Sequence, residues 1–380
     1  MTIYLDNNST TVCATEVIDA MLPFLARLHG NPSSPHIMGR EAARAMAQAR
    51  QQIGECVDAD AADILFTSSA TEANNIAILG MAQATCVRRK IVVSSVEHKS
   101  VLGPCRALER QGFQVLTLPV DDEGRVRVDA AREIIDQNTL LVAVQGANNE
   151  VGTIQPVATI AEIAHQNGAL MHCDASQLLG KIPVSACLLG ADTLAFSAHK
   201  AYGPKGVGCL VATQSVLGLL GPILYGGGQE HGLRPGTENV PGIVGMGEAC
   251  RLCQASVIDD GQRIESLRND MEHDICQSTS GVSVIGSRCL RVPGTSSIHV
   301  KGCPSDLIIS RTPRVCMGTG AACNSGAYSP SHVLRAIGLS DDEARCTLRL
   351  SIGRYSTKTE VDEAVRELSH SVAAIRCVTA

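Results

Sequence analysis

Short apolar runs alternate with amphipathic stretches along most of the chain. Ile64–Thr67 predicts a strand, followed by a polar turn and a helix from about Thr71. Lys90–Ser94 predicts a second strand, which leads into Val96-Glu97-His98-Lys99 and a helical stretch to Gln111. Leu140–Val144 reads as a strand and Ile160–Asn167 as a helix. Ala169–Cys173 is a strand ending at Asp174, and Thr193–Phe196 stops just before Ser197-Ala-His199-Lys200. Gly206–Ala212 is a further β-rich run. Such alternation predicts an α/β fold, with a mainly parallel sheet flanked by helices. Ligands of such sheets bind beyond the carboxyl ends of the strands, which is where the polar clusters fall. After about residue 260 the rhythm changes to that of a smaller α+β unit. Gly261–Ile275 reads as a helix, Ser296–Val300 and Thr347–Ile352 as strands, and Thr359–Ile375 as a closing amphipathic helix. The Gly-rich segment Tyr225–Gly247 reads as loop.

Composition narrows the classes of function. The 380 residues are enough to bury a large core. Aromatic residues are 2% and Trp is absent, which disfavours a stacking surface for single-stranded nucleic acid. A formal charge of −6 is not that of a polyanion-binding domain, so no direct nucleic-acid binding is expected. The first residues lack a basic and then apolar leader, and the longest nearly apolar stretch, Val216–Tyr225, is too short to span a membrane. Sixteen cysteines lie at irregular intervals. In a chain of this size they predict free thiols in a reducing cytoplasm rather than a disulfide framework, most of them small buried side chains.

Several motifs are absent or incomplete. There is no phosphate loop of the Gly-x-x-x-x-Gly-Lys-Ser/Thr type, no Gly-x-Ser-x-Gly elbow and no His-Glu-x-x-His. Cys250-Arg-Leu-Cys253 has no second ligand pair at zinc spacing and reads as ordinary helix cysteines. No metal is expected. Gly318-x-Gly320 has Cys323 at the third glycine position, so it is no dinucleotide fingerprint.

The chemistry gathers around Ser197-Ala-His199-Lys200. A lysine after a buried strand, in the rigid turn Tyr202-Gly-Pro-Lys-Gly206, can form a Schiff base with a carbonyl cofactor. Pyridoxal phosphate also needs an acid for its ring nitrogen, and Asp174 ends the preceding strand. Ser68-Ser-Ala70-Thr71-Glu72 opens a helix, where free N–H groups favour a phosphate. The same segment also reads as a capped helix start supported by Glu72, and the two roles are compatible.

These residues, in this order, resemble the pyridoxal-phosphate-dependent cysteine desulfurases of the class V aminotransferase family. Early matches are Tyr4-Leu-Asp6-Asn-Asn-Ser-Thr-Thr11, Gly30-Asn-Pro-Ser-Ser34 and Thr67-Ser-Ser-Ala-Thr-Glu-Ala-Asn74. Glu97-His98, Asn148-Asn149-Glu150-Val-Gly152 and His172-Cys-Asp174-Ala-Ser-Gln177 follow. After the lysine turn come Gly226-Gly-Gly-Gln-Glu230 and Arg234-Pro-Gly-Thr237-Glu-Asn239. Late matches are Gly320-Ala-Ala-Cys323, Pro330-Ser-His-Val-Leu-Arg335 and Leu348-Arg349-Leu-Ser-Ile-Gly353. The chain most resembles the subgroup of nitrogen-fixation and iron–sulfur-cluster desulfurases.

The resemblance implies a fold-type I transferase. Its large cofactor-binding domain would cover 15–260, and a small domain built from 1–14 and 261–380 would carry the catalytic-Cys loop. It implies that Lys200 holds the cofactor covalently, His98 stacks on its ring, Asp174 pairs with the ring nitrogen and Gln177 bonds the phenolic oxygen. Ala70, Thr71, Ser197 and His199 would hold the phosphate, and Thr237 would reach the phosphate of a neighbouring subunit in a homodimer. Asn149 and Arg349 would bind the substrate, L-cysteine, with Arg349 forking onto its carboxylate. Cys323 would be the nucleophile that takes the sulfur as a persulfide for an acceptor protein. Sulfur transfer needs a thiolate on an accessible segment, and the small residues of Gly318–Gly326 suit one.

Three departures from the family pattern stand out. Relatives commonly have Ser-Ser-Gly-Ser-Ala-Cys where this chain has Gly318-Thr-Gly-Ala-Ala-Cys323, which loses a hydroxyl at Ala321. Asn324 and His231 replace the usual Thr and Arg. The alternatives are a selenocysteine lyase or other class V enzyme, and a non-catalytic Cys-rich metal or iron–sulfur scaffold. The pathway served, whether iron–sulfur assembly, tRNA thiolation or DNA sulfur modification, is not written in these motifs.

Overall fold

The computed structural model describes residues 2–83, 87–319, 321–324 and 327–379; side chains within 321–329 and beyond 377 are outside that description. Its centre is a seven-stranded sheet. In spatial order the strands are Ile64–Thr67, Gly208–Ala212, Thr193–Ser197, Leu170–Asp174, Thr139–Ala143, Lys90–Ser94 and Gln114–Leu118. All neighbours pair parallel except Gly208–Ala212, which runs antiparallel to both of its neighbours. Five of these strands are buried along their whole length, which is why they read as apolar runs in the sequence. Helices cover both faces and close two apolar clusters, one on each side of the sheet.

A second, antiparallel sheet of four strands contains Gly318–Thr319, Thr347–Ser351, Thr295–Val300 and Val282–Ile285. It packs with Ile3, Leu5, Ile264–Ile275 and the helix Lys358–Thr379 into a separate cluster. The first residues join this unit through Ile3–Tyr4, which pairs parallel with Val315–Cys316.

Four features differ from the pattern reading. The sheet is mixed, because its second strand runs backwards. Helices Thr15–Ala26 and Ile37–Val57, and the strand Gln114–Leu118, have no counterpart among the elements the pattern predicts. The segment Tyr225–Gly247 is loop only to Asn239, whose side chain caps a helix that runs from Val240 to Ser278. Glycines in its first turns permit close packing: a Cβ at Gly247 would stand 2.7 Å from the Ala49 Cα on the crossing helix. Finally, Ala321–Asn324 and Ala327–Pro330 form an antiparallel hairpin, with Cys323 opposite Tyr328.

Cys250 and Cys253 sit buried on the long helix, as their spacing suggested. Among the described residues no disulfide forms, no cluster of side chains could hold a metal ion, and no helix is long and apolar enough to cross a membrane.

Candidate active site

The carboxyl ends of the strands open into one cavity of about 600 Å³. It collects Lys200, His98, Asp174, Gln177, Asn149 and Arg349, and the phosphate-cradle residues Ala70, Thr71, Ser197 and His199 also line it. Thr237 does not; it is exposed on the loop before the long helix. The Cys323 thiol lies outside the described residues.

Lys200 ends a single 3-10 turn immediately after the strand Thr193–Ser197. Its Nζ donates to the backbone oxygens of Asn8 at 2.6 Å and Ser9 at 2.7 Å. Burial, with the Arg349 cation adding, pulls its pKa down to about 8. The turn is held by Tyr202, a non-glycine residue at φ 64°. Its N–H donates to Thr11 Oγ1 at 2.8 Å and its hydroxyl accepts from Arg354 N at 2.6 Å. The Arg354 guanidinium lies 4.5 Å from the ring centre, and Tyr355 meets the ring edge-on. These contacts offset a conformation that costs about 1–2 kcal/mol.

Asp174 ends its strand nearly buried. Its two oxygens accept from Asn74 Nδ2 at 2.8 Å and Ser176 N at 3.1 Å. His98 caps the helix Lys99–Glu109 by accepting from Ser100 N. Its ring lines the open cavity but is crowded by protein atoms, and this desolvation holds its pKa below the ordinary value against the pull of Asp174. His199 meets Thr10 Oγ1 at 3.1 Å, and burial takes its pKa down to about 4, with Lys200 and Lys205 adding.

The phosphate cradle follows the strand Ile64–Thr67. Ser69 Oγ accepts from Glu72 N at 3.3 Å, and the Glu72 carboxylate accepts from Ser68 N and pairs with Arg234. The capping role is therefore present, and Ser69, Ala70 and Thr71 at the start of the helix line the cavity. Gly208 on the adjacent strand makes this fit possible: a Cβ there would lie 3.0 Å from Ala70 N.

At the opposite end of the cavity, Arg349 comes from the strand Thr347–Ser351. Its Nη2 bonds Asp6 Oδ1 at 2.7 Å and Ser9 Oγ at 2.6 Å, and its Nη1 reaches Asn149 O at 3.3 Å. Its Nε is buried and has no partner among the described residues. Gly318 lies opposite it in the sheet register, one short step before the Cys323 hairpin.

Sequence reading assigned no role to Asp6, Asn8, Ser9, Asn74, Ser100 or Lys181. Lys181 is the least expected: its Nζ bonds Asn8 Oδ1 at 2.6 Å and Gln177 Oε1, and burial pushes its pKa well down. The Tyr4–Thr11 motif carried part of this signal, because its polar residues are too many for a plain strand.

A mixed sheet that gathers a lysine, an aspartate and a helix N-terminus at its strand ends defines a fold-type I transferase. The chain belongs to the aminotransferase class-V family, whose profile matches residues 3–364. A cysteine desulfurase of Cereibacter sphaeroides is 42% identical, covering 99% of this chain and 97% of its own length. The solved structure of a NifS-like protein superposes with a TM-score of 0.92 at 34% identity, over 98% of this chain and 100% of that one. That of SspA in complex with cysteine gives 0.81 at 33% identity, over 94% of this chain and 100% of that one.

Proposed function

We propose that the chain is a pyridoxal-phosphate-dependent cysteine desulfurase, which converts L-cysteine to L-alanine and leaves the sulfur as a persulfide on Cys323. The observation that carries this reading is the meeting, in one cavity, of Lys200, Asp174 and His98 with Arg349, one strand away from a cysteine hairpin. The residues suit the cofactor: an amine, a buried carboxylate and a helix start line about 600 Å³, and the buried Ser176 Oγ has no partner among the described residues.

When bound, pyridoxal phosphate supplies an electron sink for charge developing at the substrate α-carbon. Asp174 would face its ring nitrogen, Gln177 its phenolic oxygen, His98 its ring face, and Ala70, Thr71, Ser197 and His199 its phosphate. Arg349 and Asn149 orient the substrate, with the guanidinium fork taking the carboxylate. Lys200, with a pKa near 8, is poised to hold and return the α-proton at neutral pH. The Cys323 thiolate attacks the substrate sulfur, so the carbon–sulfur bond breaks as the sulfur–sulfur bond forms. The electron pair from the broken bond returns to the β-carbon; one proton there from solvent and the α-proton returned by Lys200 complete alanine, and the substrate's own S–H proton stays on the persulfide. A protein thiol is the acceptor class that a persulfide requires, by exchange.

A homodimer belongs to the same proposal. Ile18, Leu22 and Leu25 stand 44%, 50% and 64% exposed on one face of the helix Thr15–Ala26, and Thr237 is exposed on its loop. Free thiols throughout the described chain support a reducing cytoplasm. The division into 15–260 and 1–14 with 261–380 belongs to the same proposal; the cluster under the small sheet supports it, although Val96 and Val151 pack with Val333 and Leu334 across it. The test is to incubate purified, cofactor-supplied protein with L-cysteine and a reductant. Equal amounts of alanine and sulfide are expected; absence of both from protein with the cofactor's visible band overturns the reading.

A further inference from the structure

Behind the cavity wall runs a file of polar side chains that the chemistry above leaves without a role. Asn74, on the helix Ala70–Gln83, and His172, on the strand Leu170–Asp174, are both fully buried. Buried amides and imidazoles are costly unless bonded, and here every polar atom of both side chains is bonded. His172 meets Thr193 Oγ1 at 2.8 Å and Asn74 Oδ1 at 2.9 Å. An amide oxygen only accepts, so the His172 proton sits on Nε2, and Nδ1 accepts from the threonine hydroxyl. Burial takes the His172 pKa down to about 4, which keeps the ring neutral in this tautomer.

With its oxygen engaged, the Asn74 amide turns its NH₂ to the cavity side. One hydrogen goes to Asp174 Oδ2 at 2.8 Å and the other to Ser100 Oγ at 2.7 Å. The Ser100 hydroxyl then donates to His98 Nδ1 at 2.7 Å, which also accepts from Ser100 N at 3.2 Å. Neutral His98 therefore carries its proton on Nε2. Donation runs one way, from Thr193 through His172 and Asn74 to both Asp174 and His98.

We infer that Asn74, held in one orientation by His172, is a positioning residue that supplies a fixed donor to Asp174 and, through Ser100, to His98. It thereby sets how strongly Asp174 holds the proton it shares with the cofactor ring. The inference rests on the proposed roles of Asp174 and His98. A carboxylate that accepts a fixed N–H is less basic than one that does not. Without the Asn74 donor, Asp174 draws the shared proton toward itself, the ring carries less positive charge, and the cofactor's visible band titrates at higher pH. The other titratable groups facing Asp174 are Glu97, His98, Cys173 and Lys200, and the variants below leave all four in place.

The test has two parts. In cofactor-free wild-type protein, ¹⁵N NMR of the imidazoles is expected to show His172 protonated on Nε2 and uncharged down to about pH 5. The Nδ1-protonated tautomer would reverse the donor file and overturn the inference without reference to the cofactor. In cofactor-loaded protein, Asn74→Ala is expected to raise the titration midpoint of the visible band by about one pH unit, a tenfold change in proton affinity. His172→Phe should move it in the same direction, and His172→Gln, which keeps a donor toward Asn74, should restore much of it. A band that titrates as in wild type in Asn74→Ala overturns the inference alone. Absence of any band in wild type overturns the underlying reading of the site.

Discussion

The two ends of the cavity are built on opposite principles. At the lysine and aspartate end, the two key side chains stand at the ends of central-sheet strands and are both bonded within the chain: Asp174 with Asn74 and Ser176, Lys200 with two backbone oxygens. At the arginine end, three distant segments meet. Arg349 bonds Asp6, 343 residues away in sequence, and Asn149, 200 residues away. The first end is finished before any ligand arrives. The second places a guanidinium, fixed by Asp6 and Ser9, on the cavity wall, which makes it the end suited to discriminate among substrates by their carboxylate.

The largest effects should separate the two ends outright. Lys200→Ala is expected to abolish both the visible band and turnover, the latter by on the order of 10³-fold or more. Cys323→Ser should lose turnover as completely while the band stays. If Cys323→Ser also lost the band, the two ends would not be independent, and the contrast would fall. Arg349→Lys should raise KM about 10–100-fold, as expected for a lost charged hydrogen bond of about 1.5–3 kcal/mol, with the spectrum unchanged. Steady-state kinetics across a cysteine series checks it.

A pH experiment addresses the lysine end alone. Lys200 is held near pKa 8, so its free-amine fraction rises with pH through a midpoint near 8 rather than near the ordinary lysine value. Capture of pyridoxal phosphate by the cofactor-free protein should follow that curve in stopped-flow measurements; a midpoint near 10 would contradict it. The smallest effect belongs to the support of the turn. Tyr202→Phe leaves Arg354 N–H without its acceptor and should cost about 1–2 kcal/mol in urea unfolding, with little change in turnover.

Much of the lysine end was legible in the sequence, and the reason is physical. Strands buried on both faces must be continuous apolar runs, and the polar residues that end them must face a ligand edge. The helix Ile37–Val57 escaped notice because its buried face is Gly39, Ala42, Met46, Ala49, Ile53 and Val57. The spacing is helical, but the side chains are small and weigh little in a hydropathy pattern. The glycines after Asn239 suggested a loop for a related reason: they serve close helix packing, which composition alone does not distinguish from a turn. Asn74 and His172 were invisible as functional residues, because buried hydrogen bonds between distant segments leave no periodic trace. Family resemblance placed Arg349, whereas its tie to Asp6 could come only from the fold.

The long helix Val240–Ser278 has a mechanical consequence. Its first half packs against the helices beside the large sheet, and its second half supplies Ile264, Leu267, Met271 and Ile275 to the cluster under the small sheet. A continuous helix is stiff, and bending it sharply means breaking its ladder of hydrogen bonds. It acts as a strut through both units and provides no hinge at residue 260. Any relative movement that admits substrate or releases sulfur therefore has to come from elements off that strut.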